Sequence, residues 1–340
     1  MKKISLIIIA ALVLVMPAFA QEQDVKTMQE NAKNYLRQGD VNNAILVLNK
    51  AIEKEPQSLD LQKDLAFAYF LQRDYGKALK VASPFIDRKD ADVQSFQVLA
   101  MIYKALEERK EAEKVYRAAL KKNPESGVLY NEFGEMLWAK KDFSEAINQW
   151  EKGIEVDPNY AGNYYNASKY YYMSKDKVWS LIYGEIFINM ESFSKRTPEI
   201  KTLLLDGYKK LFLDADIYKD QQVKNEFTKA FLDLMKKHSG VISTGVTPES
   251  LSALRTKFIL DWNENYASKF PYRLFDHHRQ LLRDGMFEAY NQWIFGAAKD
   301  LAAFQLWTST HQEEYAAFTN LQKSRVFKVP AGQYYHNSSK

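Results

Sequence analysis

GVLYNEFGEMLWAKKDFSEAINQWEKGIEVDPNY, residues 127–160, is one of four consecutive segments that carry the same beat of small and bulky residues. Its Ala146 follows Ala44, Ala78 and Ala112 at an unvarying interval of 34 residues. A fixed period of about 20–50 residues marks a stack of like supersecondary units, each covering the apolar face of its neighbour. Tyr35, Tyr69, Tyr103 and Tyr171 keep the same step, with Leu137 standing in once. Four residues after each alanine come Leu48, Ala82, Tyr116 and Trp150, and Pro56, Pro124 and Pro158 close three of the units.

The period sets the units at 25–58, 59–92, 93–126, 127–160 and 161–194. The first half of each carries mostly apolar residues at positions 4, 7, 8 and 11, as in Phe96, Leu99, Ala100 and Tyr103. That spacing predicts one buried face of a 3.6-residue helix. Small residues at the eighth position (Ala32, Ala66, Ala100, Gly134, Ser168) let the paired helices approach, where larger ones would clash with the alanine of the second helix. Short polar turns at 38–40, 72–74 and 140–142 join the pairs. Two units depart from the pattern. Pro84 falls inside the second helix of 59–92, which predicts a kink or a shortened helix. In 161–194, Ser180 replaces the alanine and Ser192 the closing proline, so a helical hairpin with irregular packing is expected.

The pattern of Tyr, Ala, a bulky residue and a closing Pro resembles the tetratricopeptide repeat (TPR). The resemblance implies an all-α superhelix of helical hairpins over 21–194. It also implies a concave groove lined by positions 2, 5, 9, 12 and 13 of each first helix. Those positions include Phe67, Phe70, Gln97, Met101, Lys104, Asn131, Glu135, Trp138, Tyr165, Lys169 and Tyr172. Aromatic anchors with amides and lysines suit an extended peptide, the rings supplying energy and the amides pairing with its backbone. The competing reading has Trp138 and Tyr172 packing on a neighbouring helix. One TPR subclass grips a carboxylate terminus with Lys and Asn side chains. Here Lys63 fits, but Phe67, Val98, Val128 and Glu132 stand where Asn and basic residues are needed, so that clamp is absent.

The first residues read MKKISLIIIAALVLVMPAFAQEQ. Lys2 and Lys3, an apolar run from Ile4 to Val15 and the Ala18-Phe19-Ala20 box predict a signal peptide cleaved after Ala20, leaving Gln21 first. The run is shorter than the roughly 20 residues that span a bilayer, so no membrane span is expected after processing. The protein is thus expected to be exported, to periplasm or beyond. There is no cysteine, which excludes disulfides, thiolate zinc sites and thiol nucleophiles. Lys and Arg number 47 against 43 Asp and Glu, and loss of Lys2 and Lys3 lowers the formal charge from +4 to +2. That is no electrostatic footprint for nucleic acid.

From 195 to 340 the period is gone but helical patterning continues, rich in aromatic residues. Thr197-Pro198-Glu199 and Thr247-Pro248-Glu249 each read as a helix start with Thr as N-cap. HSGVISTGVT (238–247) reads as a linker, one helix is expected over 273–295, and one or two more over about 298–324. The tail after Val326 lacks periodicity and is expected to be loose. An extension capping the open end of the repeat stack is the economical reading.

Little in the chain asks for chemistry. His278 shares an apolar face with Phe275, Leu282, Ala289 and Trp293, the mark of a hydrogen-bonded core histidine. On one continuous helix, His277 and Glu288 would lie roughly 16 Å apart and could not share an ion. The loop from Gly240 to Thr247 lacks the lysine and preceding strand of a phosphate-binding loop. No cofactor or metal is expected. The leading expectation is a non-catalytic scaffold binding a protein or extended peptide. Two alternatives stand beside it. One is a glycan-binding module using the tyrosines at 160, 164, 165, 170, 171, 172 and 183. The other is a hydrolase with an unrecognised site in the C-terminal region, for which His277 and Glu288 are the residues to test.

Overall fold

The computed structural model describes residues 24–174, 176–214, 216–219, 221, 223 and 225–336. The expected leader and its cleavage after Ala20 lie outside them. Every regular element among the described residues is helical, as the periodicity predicts. The chain divides into two compact units, one ending at Glu108 and the other beginning at Arg109. The division falls inside the third repeat, not at 194/195 where the period ends.

The first unit holds α1 (Val25–Arg37), α2 (Val41–Lys54), α3 (Leu59–Leu71), α4 (Tyr75–Ala82) and α5 (Val93–Ala105). Its core is built from the periodic residues, among them Ala32, Ala44, Leu48, Leu61 and Leu65. Pro84 has the expected effect: α4 stops at Ala82 and the chain continues as a 3-10 turn, Ser83–Asp87. Lys63, the one residue that fitted the carboxylate clamp, is buried between Asp60 at 2.8 Å and Asp92 at 2.5 Å. Its charge is spent inside the unit.

The turns inside the first four repeats share one geometry. Asp40, Asp74, Glu108 and Asp142 each donate a backbone N–H to the carbonyl of residue 35, 69, 103 or 137, at 2.9–3.0 Å. The residue before each donates to a carbonyl three back, completing a Schellman motif. That residue is left-handed every time: Gly39 at φ 79°, Arg73 at 63°, Glu107 at 59° and Lys141 at 66°. Asp40, Asp74 and Asp142 then cap α2, α4 and α8 with their carboxylates. Periodic tyrosines therefore mark helix ends as well as core.

The second unit holds α6 (Arg109–Lys122), α7 (Gly127–Ala139), α8 (Phe143–Val156), α9 (Ala161–Met173), α10 (Lys177–Met190) and α11 (Thr197–Leu211). It continues with α12 (Glu226–His238), α13 (Pro248–Asn265), α14 (Arg273–Arg283) and α15 (Phe287–Asn291). A π-helical segment, Gln292–Gly296, leads into α16 (Ala297–Lys299), α17 (Leu301–Thr310) and α18 (Gln312–Ser324). In the fourth repeat the small eighth residue faces a ring rather than the alanine. A Cβ on Gly134 would stand 2.3 Å from Trp150 Nε1. In the fifth, where serine replaces alanine, Ser168 and Ser180 each donate a hydroxyl to the other's carbonyl, at 2.9 and 3.1 Å. The irregular pair adds these hydrogen bonds to aromatic contacts of Tyr164 and Tyr171 with Tyr183 and of Tyr165 with Phe187.

Three expectations for the C-terminal half are corrected. The helix expected over 273–295 is broken: α14 ends at Arg283 and Gly285, at φ 70°, turns the chain before α15. Thr247 does cap α13, in a reciprocal box with Ser250, but Thr197 is already inside α11 and donates its hydroxyl to the Glu191 carbonyl. The tail expected to be loose after Val326 is packed as far as residue 336. Phe327, Val329 and His336 are buried, and Asn159 holds both backbone groups of Val329, at 2.9 and 3.2 Å.

The extension is tied to the fifth repeat by a buried polar network. Glu185 of α10 accepts hydrogen bonds from Arg255 of α13, His278 of α14 (2.7 Å) and Tyr290 of α15 (2.8 Å). Asn189 joins Tyr290 to Arg325 at the end of α18, and Arg325 meets His277. His278 is thus the hydrogen-bonded core histidine its sequence position predicts. The hydrolase pairing is not assembled, because His277 is buried against Arg325 while Glu288 is exposed.

Candidate functional site

Helices α7 and α9 lie side by side, with α8 behind α7. Because Gly134 has no side chain, the Trp150 indole of α8 lies against α7 and donates to the Asn131 carbonyl at 3.2 Å. Trp138, one helical turn on from Gly134, is half-buried. Its ring centroid is 4.6 Å from Phe143, 5.8 Å from Trp150 and 6.4 Å from Tyr170 of α9. These rings leave a pocket of about 280 Å³ lined by Trp138, Trp150, Tyr170, Glu135, Asn166 and Lys169. One wall is aromatic and the other polar, the usual make-up of a recognition pocket.

The polar wall is held in place from below. Asn166 donates to Asn131 Oδ1 at 2.9 Å and to Glu135 Oε1 at 3.1 Å. Asn131 is buried and itself donates to Glu135 at 3.0 Å. With its N–H groups committed, Asn166 retains its carbonyl oxygen as the acceptor for an incoming group.

Beyond Lys169 a charged ladder crosses to α11. Lys169 is 2.7 Å from Glu199 and 3.1 Å from the Tyr165 hydroxyl, which donates to Glu199 at 2.5 Å. Arg196 lies 4.7 Å over the Tyr165 ring. Burial disfavours the Lys169 cation, but its bonds to Glu199 and Tyr165 outweigh that and raise its pKa. The Glu199 carboxyl is held low although burial opposes it, through Lys169 and Tyr165. Tyr172 is tethered likewise, donating to Asp206 at 3.2 Å under the Lys210 ammonium.

The groove residues expected from the repeat pattern therefore separate. Phe67, Phe70, Gln97 and Lys104 belong to the first unit, where Phe67 and Phe70 stack on each other at 6.3 Å. Trp138 and Lys169 line the pocket. Asn131 supports it from beneath, and Tyr165 and Tyr172 sit in the ladder beside it. Lys169 is already ion-paired, so it is no free steering charge. Trp150 and Asn166 were not among the expected residues, and Tyr170 was expected only for glycan stacking and not for the groove. Their signal was present: Trp150 is the bulky residue after Ala146, and Asn166 and Tyr170 flank positions 5 and 9. Of the seven tyrosines considered for glycan stacking, Tyr164, Tyr171 and Tyr183 are buried, and the latter two donate to buried Glu151.

Helical hairpins repeating at 34 residues, with this pocket on the face of their first helices, define a helical-repeat protein. More particularly, its repeats are tetratricopeptide repeats: two family models, each described as tetratricopeptide repeat, match residues 35–102 and 98–163. Tetratricopeptide repeat protein 21B of Homo sapiens is 26% identical over 134 residues, 39% of this chain, and its Mus musculus counterpart 25% over 133. The chain spans about a tenth of the length of these curated relatives (10%). Among solved structures, a tetratricopeptide repeat protein from Parabacteroides merdae aligns at a TM-score of 0.43 and 16% identity, covering 71% of this chain and 91% of that one. A thermophilic TPR protein of Thermus thermophilus aligns at 0.42 and 13%, covering 54% and 98%. Among the described residues no helix is long and apolar enough to cross a membrane. Nor does any group of three or more His, Asp or Glu there stand ready to hold a metal.

Proposed function

We propose that this chain is a non-catalytic scaffold that holds a protein partner by an extended segment, with one bulky apolar side chain seated between Trp138, Trp150 and Tyr170. The pocket itself carries this reading: rings for an anchor stand beside a pre-positioned amide, Asn166, for the segment's backbone. Buried Asn131 fixes Asn166 before binding, which limits the ordering cost. Tetratricopeptide domains in general bind proteins, which supports the class of partner. The leader pattern of Met1–Ala20 supports the further proposal that the protein acts outside the cytoplasm. Mass spectrometry of the mature protein should find Gln21 first; retention of Met1–Ala20 would reject export as a soluble protein.

The test of the pocket uses peptides selected from a random library against the whole chain. Trp138→Ala should weaken the best peptide by at least about 2 kcal/mol, roughly thirty-fold, with little change in Tm. A fall in Tm equivalent to about 3–5 kcal/mol, with affinity intact at low temperature, would make Trp138 a packing residue and end the proposal.

A further inference from the structure

A second cleft, of about 530 Å³, lies elsewhere in the second unit, away from the pocket. It is lined by the ends of α11, α12 and α16 and the 3-10 turn after α12, which bring Lys209, Lys236 and Lys299 to one opening. Among its described lining residues the one carboxylate, Asp214, is ion-paired with Lys219, and Lys209 is ion-paired with Asp206 at 3.4 Å. The opening is therefore cationic. At its lip Leu213 is 85% exposed. Two residues past Lys299, α17 begins as LAAFQLWTST, ten residues without a charge and without one buried residue. Leu301 is 58% and Leu306 67% exposed, and Trp307 is half-buried. An uncharged helix showing its leucines to solvent, beside a lysine-lined opening, is not what a face in contact only with water requires.

We infer that this face rests on the surface of an anionic lipid bilayer, the lysines meeting lipid phosphates and Leu213, Leu301 and Leu306 entering the acyl boundary. Charge complementarity selects this occupant: leucines next to an opening whose lysines outnumber its carboxylate match an apolar layer beneath a negatively charged headgroup layer. The contact is peripheral, since α17 is far too short to span. It does not depend on the peptide pocket.

Flotation of the whole purified chain with vesicles tests it. Vesicles of phosphatidylglycerol mixed with phosphatidylcholine should bind on the order of tenfold or more better than pure phosphatidylcholine, less so in high salt. Replacing Lys209, Lys236 and Lys299 together by Glu should abolish that preference. Leu301→Ser with Leu306→Ser should reduce binding about tenfold, with an unchanged circular dichroism spectrum, since both side chains are exposed. Equal binding to both vesicle types, or none, overturns the inference. So does a concentration-dependent dimer that the leucine pair dissolves, because a second copy would then cover α17.

Discussion

Gly134 decides what the pocket can be. Any side chain there would meet the Trp150 indole, so Gly134→Ala must push the ring or the helix aside. Overpacking of this kind costs about 1–3 kcal/mol, and the loss should appear as a lower Tm together with weaker peptide binding. Glu185 poses the opposite problem, a carboxylate wholly enclosed. Burial pushes its pKa up, but the Arg255 guanidinium and the hydrogen bonds from His278 and Tyr290 win, holding it at about 2. A carboxyl lowered on folding contributes stability that is complete above its unfolded value, near 4.3, and is lost as pH falls through about 2. Glu185→Gln should remove that acid-side loss. It should also destabilise the protein at neutral pH by about 3–5 kcal/mol, because Arg255 is left buried without its anion. Urea unfolding at a series of pH values reads both effects.

The helical hairpins owe their turns to a left-handed residue that recurs with the repeat. Only the first repeat spends a glycine on it, Gly39; Arg73, Glu107 and Lys141 adopt the same conformation against their Cβ sterics. Lys141→Gly should relieve that strain and raise stability by up to about 1 kcal/mol, after the greater chain entropy of glycine is allowed for. Lys140, next to it, keeps its ion pair with Glu113, so melting temperature is a clean readout. The converse change, Gly39→Val, should lower stability. An unchanged Tm in both variants would mean that the Schellman bonds, rather than the residue type, set these turns.

At the scale of the second unit, the last residues close the structure. The segment from Arg325 to His336 passes from the polar network to the repeats. Arg325 bonds Asn189 and Gln322, Val329 is held by Asn159, and His336 lies 2.8 Å from the Tyr171 hydroxyl. Removing 325–340 should lower stability by at least about 2 kcal/mol even after the ordering cost of the segment is recovered. Thermal unfolding of the shortened chain checks this, and an unchanged Tm would mean that the tail rides on the surface.

The sequence by itself determined the helical hairpins, their period and their ends. Ala44, Ala78, Ala112 and Ala146, the tyrosines at the helix ends, the capping aspartates and Pro84 all act within one turn or one hairpin, where local sterics and hydrogen bonding decide. Trp138 and Lys169 were legible only through the resemblance to the tetratricopeptide repeat, which implies that their positions in the first helix line a groove. The remainder was decided only by tertiary structure. Asn166 becomes a fixed acceptor because Asn131, 35 residues earlier, holds it. Glu185 is an anion because Arg255 and His278 arrive from 70 and 93 residues away. The tail is ordered because Asn159 waits 170 residues before Val329. No local pattern encodes such pairs, since each partner is an ordinary polar residue until packing removes water from around it and leaves the other as its only means of satisfying charge and hydrogen bonds.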